Sequence, residues 1–267
     1  MNYYGRYGLE FNPFIKNAKE ILVETTEYKE VTGRLNYLAE NKGFGLLIGG
    51  PGKGKTTTIR HWVSTLSTSL YKPIYISLST STVAEFYRQL AIALGIIPAF
   101  RKSENFKLIQ DAINRLSIEK KITPIIILDE ANYIRNGILN DLKMLFNFEM
   151  DSKDRAVVLL VGLPQIRNTL SLNAHEPLRQ RIVMNYEMDG MNKTEMKKYI
   201  SKKLEGAGCV SAIYEDNAIE AIVNASSGIP RVTNNLCDKS LMIGNQLNME
   251  TITSEIIMKA VNESAIF

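Results

Sequence analysis

Apolar residues in this chain fall into short unbroken runs between residues 43 and 188, and into helical spacing after Met191. The runs are GFGLLIGG (43–50), PIYISL (73–78), PIIILDE (124–130), AVVLLVG (156–162) and RIVMNYEM (181–188). Continuous β-branched or leucine-rich stretches of this kind are expected of strands covered on both faces of a parallel sheet. Helix patterns separate them: 56–66, a segment opened by the capping-box pattern Thr82 to Glu85 and closed by Gly95, and about 104–120. Strand alternating with helix predicts a three-layer α/β parallel sheet. Beyond Met191, residues 193–205, 215–225, 231–244 and 253–264 read as helices with no strand between them. A small all-helical domain is therefore expected after a boundary near Asp189-Gly190.

Two of the runs carry chemistry at their C-terminal ends. Gly49-Gly50-Pro51-Gly52-Lys53-Gly54-Lys55-Thr56 satisfies G-x-x-x-x-G-K-[ST] between an apolar strand and a helix, where a phosphate-binding loop has to lie. Glycines let the backbone wrap phosphates with its N–H groups inward, the following helix N-terminus adds its positive end, and Thr57 is counted among the nucleotide-binding residues. Lys55 is expected to reach the β- and γ-phosphates of ATP, and the Thr56 hydroxyl to meet Mg²⁺. A buried neighbouring strand then has to deliver a carboxylate at its tip, and Ile125-Ile126-Ile127-Leu128-Asp129 does so. Asp129 is the expected metal partner, and Glu130 is placed to orient or deprotonate the attacking water. The pair argues for hydrolysis rather than nucleotide sensing alone.

Composition narrows the setting. The 267 residues are 45% hydrophobic and 22% charged, with no apolar stretch approaching the roughly 20 residues of a membrane span. The N-terminal MNYYGRYGLE lacks the order of a signal peptide, so a cytoplasmic protein without membrane partners is expected. Cys209, Cys237, His61 and His175 show no metal-ligand spacing, and the cysteines read as buried reduced thiols. Net charge is +4; residues 190–267 hold eight basic and nine acidic residues, which leaves +5 on residues 1–189. Any polyanion surface is expected on that first part.

A phosphate-binding loop, an apolar strand ending in Asp-Glu about 70 residues later, a third apolar strand, an arginine-containing segment and a helical region with Gly228-Ile229-Pro230-Arg231 together resemble an AAA+ ATPase over nearly the whole chain. The resemblance implies 1–42 as an N-terminal strap and helix, 43–189 as the α/β core and 190–267 as a helical lid. It also implies an arginine that completes a neighbouring subunit's site, for which Arg181 is preferred to Arg179, and a nucleotide-sensing arginine in the lid, Arg231. A planar, permanently charged guanidinium suits compensation of phosphoryl charge. The family's polar residue at the tip of the strand after Asp129 is missing, since that strand runs into Gly162-Leu163-Pro164-Gln165; Gln165 or Asn168 are the substitutes offered.

The N-terminal YGLEFNPF (7–14), VGLPQ (161–165) and Gln180-Arg181-Ile182 are similar to the ExeA-like group, which joins a secretion ATPase to the transposition ATPases of the TnsC, TniB and MuB kind. Length and the lack of an anchor favour the transposition branch. That branch implies an ATP-dependent homo-oligomer, ring or helical filament, on double-stranded DNA, serving a DDE-type transposase in target selection or activation. The rivals are an ExeA-type secretion or assembly ATPase and a replication-initiator or helicase-loader ATPase. The aromatic N-terminal segment is expected either beneath the adenine or as a strap over the core. For DNA, Thr80 and Ser81 after the second strand and Arg101-Lys102-Ser103 between two helices have backbone-reading chemistry; helix capping and a solvated loop are the plainer alternatives. The lysines at 193, 197, 198, 202 and 203 read as an ordinary solvated helix face.

Overall fold

The computed structural model describes residues 3–77 and 82–264. Contacts divide the chain into a sheet unit, Glu30–Pro51 with Lys55–Met188, and a helical unit, Met1–Lys29 with Gly52–Gly54 and Asp189–Phe267.

The sheet unit is built on β1 (Gly43–Gly49), β2 (Tyr71–Ser77), β3 (Thr123–Asp129), β4 (Val157–Gly162) and β5 (Ile182–Met188). They pair in parallel in the order β2-β3-β4-β1-β5. This order sets β4 between the strand that ends in Asp129 and the strand that enters the phosphate loop. The two-residue strand period sorts each apolar run onto two faces. Ile125 and Ile127 pack with Leu35, Ile59 and Trp62 of α1 (Thr26–Asn41) and α2 (Lys55–Thr65). Ile126 and Leu128 pack on the other face with Phe86, Ile109 and Leu142, from α3 (Val83–Leu94), α4 (Lys102–Asn114) and α5 (Asn136–Leu145). The three-layer α/β expectation is met.

The capping box at the start of α3 is formed, with Thr82 Oγ1 accepting from the Glu85 N–H at 3.3 Å, and Gly95 closes the helix in a left-handed conformation. One predicted helix is corrected. The segment 104–120 is α-helical only to Asn114; Arg115–Glu119 winds as a π-turn, with the Lys120 N–H reaching Arg115 O at 3.1 Å. Periodicity over one turn does not separate the two windings, because both keep the apolar side chains on one flank.

The helical unit contains α8 (Lys193–Gly206), α9 (Asp216–Ser226), α10 (Pro230–Gln246) and α11 (Ser254–Ser264), packed around Ile200, Ile222, Leu241 and Ile257. Tyr7, Leu9 and Phe14 are buried in this same cluster, so the N-terminal segment straps the helical unit rather than the sheet. Its fastening is polar as well: the Asn12 carboxamide, 2% exposed, donates to Tyr3 Oη at 2.7 Å and to Asp238 Oδ1 at 2.6 Å. Burial pushes the Cys237 thiol up to about 12, as expected of a reduced cysteine in an apolar core.

Candidate nucleotide site

The phosphate loop follows directly from β1. Gly52 and Gly54 take φ of +75° and +98°, a region that disfavours any side chain, and so turn successive N–H groups to one side before α2 begins at Lys55. Gly49 is required for a different reason: a Cβ there would lie 3.0 Å from Met188 O on β5. The Lys55 ammonium donates to Gly49 O at 2.7 Å and Gly50 O at 3.0 Å, which folds it back along the loop whose phosphates it is suited to reach.

Asp129 keeps the parity of Ile125 and Ile127 and therefore faces α2, not α5. That parity brings its Oδ2 within 3.2 Å of Thr56 Oγ1 on the first turn of α2. Ser77 is the register partner of Asp129, so Tyr75, two residues back on β2, shares the same face. Its ring reaches along the strand and its hydroxyl donates to Asp129 Oδ2 at 2.7 Å. Burial, then the hydrogen bond to Asp129, raises the pKa of this phenol, so it stays a donor at any ordinary pH.

Glu130 leaves the strand with φ 56° and ψ 37°, and its N–H donates to Asp129 Oδ1 at 2.9 Å. A left-handed non-glycine residue costs about 1–2 kcal/mol. The chain adopts it here to turn Glu130 out of the sheet while Asp129 stays 94% covered. The chain then makes a 3-10 turn, Ala131–Tyr133, that lays Asn132 against the tip of β4.

Arg179 and Arg181, at the end of α7 (Glu176–Arg179) and the start of β5, both have partners in their own sheet unit. Arg179 donates to Leu170 O at 2.6 Å and Leu172 O at 3.0 Å; Arg181 donates to Lys143 O at 2.7 Å and pairs with Asp151. Just before them on the chain, His175 is 1% exposed and bonded through Nε2 to Asn136 Oδ1 at 3.2 Å. In the helical unit, Pro230 takes the first turn of α10, and the Arg231 N–H donates to Gly52 O at 3.3 Å. Gly52 could carry no side chain, because its Cβ would sit 2.7 Å from Arg231 Cβ.

Gln165 and Asn168, offered as substitutes for the missing polar residue, are exposed, beside and on the short α6 (Ile166–Leu170). Three residues went unnoticed in the sequence. Tyr75 was hidden in an apolar run, Asn132 follows the Asp-Glu pair by two positions, and Asn105 lies within a helix. Asn105 is 1% exposed and clamps Ala99 from both sides, accepting from its N–H at 2.8 Å and donating to its carbonyl at 2.9 Å. The clamp fixes the turn that presents Arg101 and Ser103 to solvent. Lys102 is engaged, paired with Asp141 at 2.5 Å and lying over the Tyr87 ring. Thr80 and Ser81 lie outside the described residues.

A strand-loop-helix with the G-x-x-x-x-G-K-[ST] signature, an Asp-Glu pair at the C-terminal end of β3, one strand removed from β1, and the β2-β3-β4-β1-β5 parallel order define a P-loop ATPase with the AAA+ fold. The family model described as an AAA domain matches residues 38–170. The chain is 30% identical to General secretion pathway protein A of Aeromonas hydrophila over 243 residues, covering 88% of this chain and 44% of that protein. It thus spans less than half the length of that relative. Among solved structures, Cdc6p of Pyrobaculum aerophilum superposes with TM-score 0.73 at 17% identity, covering 94% of this chain and 70% of that one. The ORC1 protein of Aeropyrum pernix in complex with DNA gives 0.69 at 16% identity, covering 94% and 68%. At such identities the likeness is one of fold.

Proposed function

We propose that this ATPase assembles on double-stranded DNA in its ATP state and acts on a DDE-type transposase as a target-selecting or activating partner. Hydrolysis is carried by Lys55, the phosphate loop and Glu130. Lys55 neutralises the β- and γ-phosphates, the loop N–H groups hold them in register, and Glu130 orients the attacking water and takes its proton. The donor set fits Mg²⁺: a covered carboxylate and a hydroxyl, Asp129 and Thr56, 3.2 Å apart, are hard oxygen ligands of the kind that ion uses. When bound there, the ion would offset charge on the β- and γ-phosphate oxygens. Arg231 is the proposed nucleotide-sensing arginine. Arg181 is the proposed arginine for a neighbouring copy's phosphates and Arg179 its alternate, which makes a homo-oligomer, ring or filament, the working form.

The observation that carries the DNA reading is the Asn105-clamped turn with Arg101 and Ser103 at its exposed end, on the part of the chain that holds the positive charge. Such a donor set suits phosphates and no particular base. Support comes also from the fold shared with an ORC1 protein in complex with DNA. We further propose 1–42, 43–189 and 190–267 as the functional divisions, and Thr80 and Ser81 as further DNA-contacting residues.

A second reading has equal standing on a different observation. The 30% identity to General secretion pathway protein A, over 88% of this chain, favours a secretion or assembly ATPase. A strand-transfer assay with a DDE-type transposase from the same source separates the two. The transposition reading expects stimulation that needs ATP and is lost in Lys55→Ala; strand transfer indifferent to the protein favours the secretion reading.

A further inference from the structure

We infer that Asn132 is the polar catalytic residue missing from the tip of β4, delivered from the turn after Glu130 instead of from the strand itself. The position of that tip follows from strand order. β4 lies between β3, which ends in Asp129, and β1, which enters the phosphate loop, and Gly162 is paired with Ile48 immediately before that loop. A side chain at Gly162 would stand at the C-terminal edge of the sheet, between the strand that ends in Asp129 and the strand that enters the loop. A side chain there would displace the Asn132 carboxamide and crowd the turn: its Cβ would lie 2.9 Å from Asn132 Oδ1, 3.1 Å from Asn132 N and 3.3 Å from Ala131 N. The missing Cβ and the inserted carboxamide are one arrangement, since the space left by glycine is filled by the amide.

The amide is oriented. Asn132 Oδ1 accepts from the Leu163 N–H at 3.0 Å, which commits the oxygen to β4 and leaves Nδ2, with two protons, at the other end of a rigid plane. Among the described residues Nδ2 donates to nothing, although Asn132 is half-buried. A solvent-accessible donor on a half-buried residue, two residues from Glu130, is open to an acceptor that arrives with the substrate. An oxygen of the γ-phosphoryl group is that acceptor, and a donor aimed there is worth most as charge develops in the transition state. Gln165 and Asn168 are not needed for the role. The assignment rests on ATP hydrolysis alone and is independent of the DNA and transposase readings.

Asn132→Asp tests it, because aspartate keeps the acceptor for Leu163 N–H and removes the donor; Asn132→Ala removes both. Each is expected to lower kcat at least about tenfold, in line with loss of one transition-state donor, with ADP affinity within about threefold of wild type. A kcat within about twofold of wild type for both variants overturns the inference. So does loss of ADP affinity in step with kcat, the signature of a residue that only holds the loop. Should the variants not fold, the wild-type chain crystallised with magnesium, ADP and beryllium trifluoride decides. Nδ2 within about 3.2 Å of a fluoride supports the role, and Nδ2 beyond about 4 Å refutes it.

Discussion

The Tyr75 hydroxyl and the Asp129 carboxylate are joined at 2.7 Å, on the same oxygen that Thr56 approaches at 3.2 Å. Two neutral hydroxyl donors thus share Oδ2 of a covered carboxylate whose Oδ1 is held by the Glu130 N–H at 2.9 Å. Tyr75→Phe removes one of them and nothing else of similar size. With half of the Tyr75 residue exposed, the loss is expected to be about 1 kcal/mol, or about 2–4 °C in the melting temperature of the nucleotide-free protein. Differential scanning fluorimetry checks this. An unchanged melting temperature shows that Thr56, the Glu130 N–H and water suffice.

Glu130 combines a proposed chemical role with a left-handed backbone, and two substitutions separate them. Glu130→Gln keeps the shape and loses the base, so ATP binding persists while hydrolysis falls by about 10²-fold or more. Glu130→Gly loses the base too but relieves the backbone, and its melting temperature is expected above that of the glutamine variant. Malachite-green turnover and thermal melts read the two effects independently. Hydrolysis at the wild-type rate in either variant removes Glu130 from its assigned place.

Arg181 is held by Lys143 O and Asp151 within its own sheet unit, so reaching a neighbour's nucleotide requires exchange of the Asp151 pair. A surface pair of this kind is weak enough to exchange, since Asp151 is largely exposed. Arg181→Ala is expected to abolish DNA-stimulated hydrolysis and leave nucleotide binding by the monomer intact. Normal stimulation transfers the role to Arg179.

Burial, then the charges of Lys143 and Arg179, lowers the pKa of His175 below its ordinary 6.5. The folded state therefore prefers neutral imidazole, and the unfolded chain binds the proton first. The stabilising contribution is full above the unfolded value and is lost as pH falls toward the folded one. The melting temperature should decline as pH drops from about 7 to about 5, with a shallower decline in His175→Gln. Parallel profiles for the two proteins rule His175 out as the group responsible.

Much of the sheet unit was legible because its determinants are local in sequence. The run Ile125-Ile126-Ile127-Leu128 marks a strand covered on both faces, and the glycines at 52 and 54 mark a backbone that must turn left-handed. What could not be read were contacts set by register. Tyr75 reaches Asp129 only because Ser77 pairs with Asp129, and no feature of PIYISL announces that offset. Asn132 meets Gly162 only because β4 lies next to β3 in the sheet, although it follows a helix and a long connection in the chain. The destination of the N-terminal aromatics was illegible for the same reason: a strip such as YGLEFNPF needs an apolar surface, and two were available.

The central claim is that ATP drives assembly on duplex DNA through backbone contacts, and filter retention of random-sequence duplex across a salt series tests it most directly. The account predicts retention at low salt with ATP and magnesium, absent with ADP, weakening linearly in log-log form as salt rises and weakened further in Arg101→Ala. No retention at low salt with ATP, or retention indifferent to nucleotide, contradicts it.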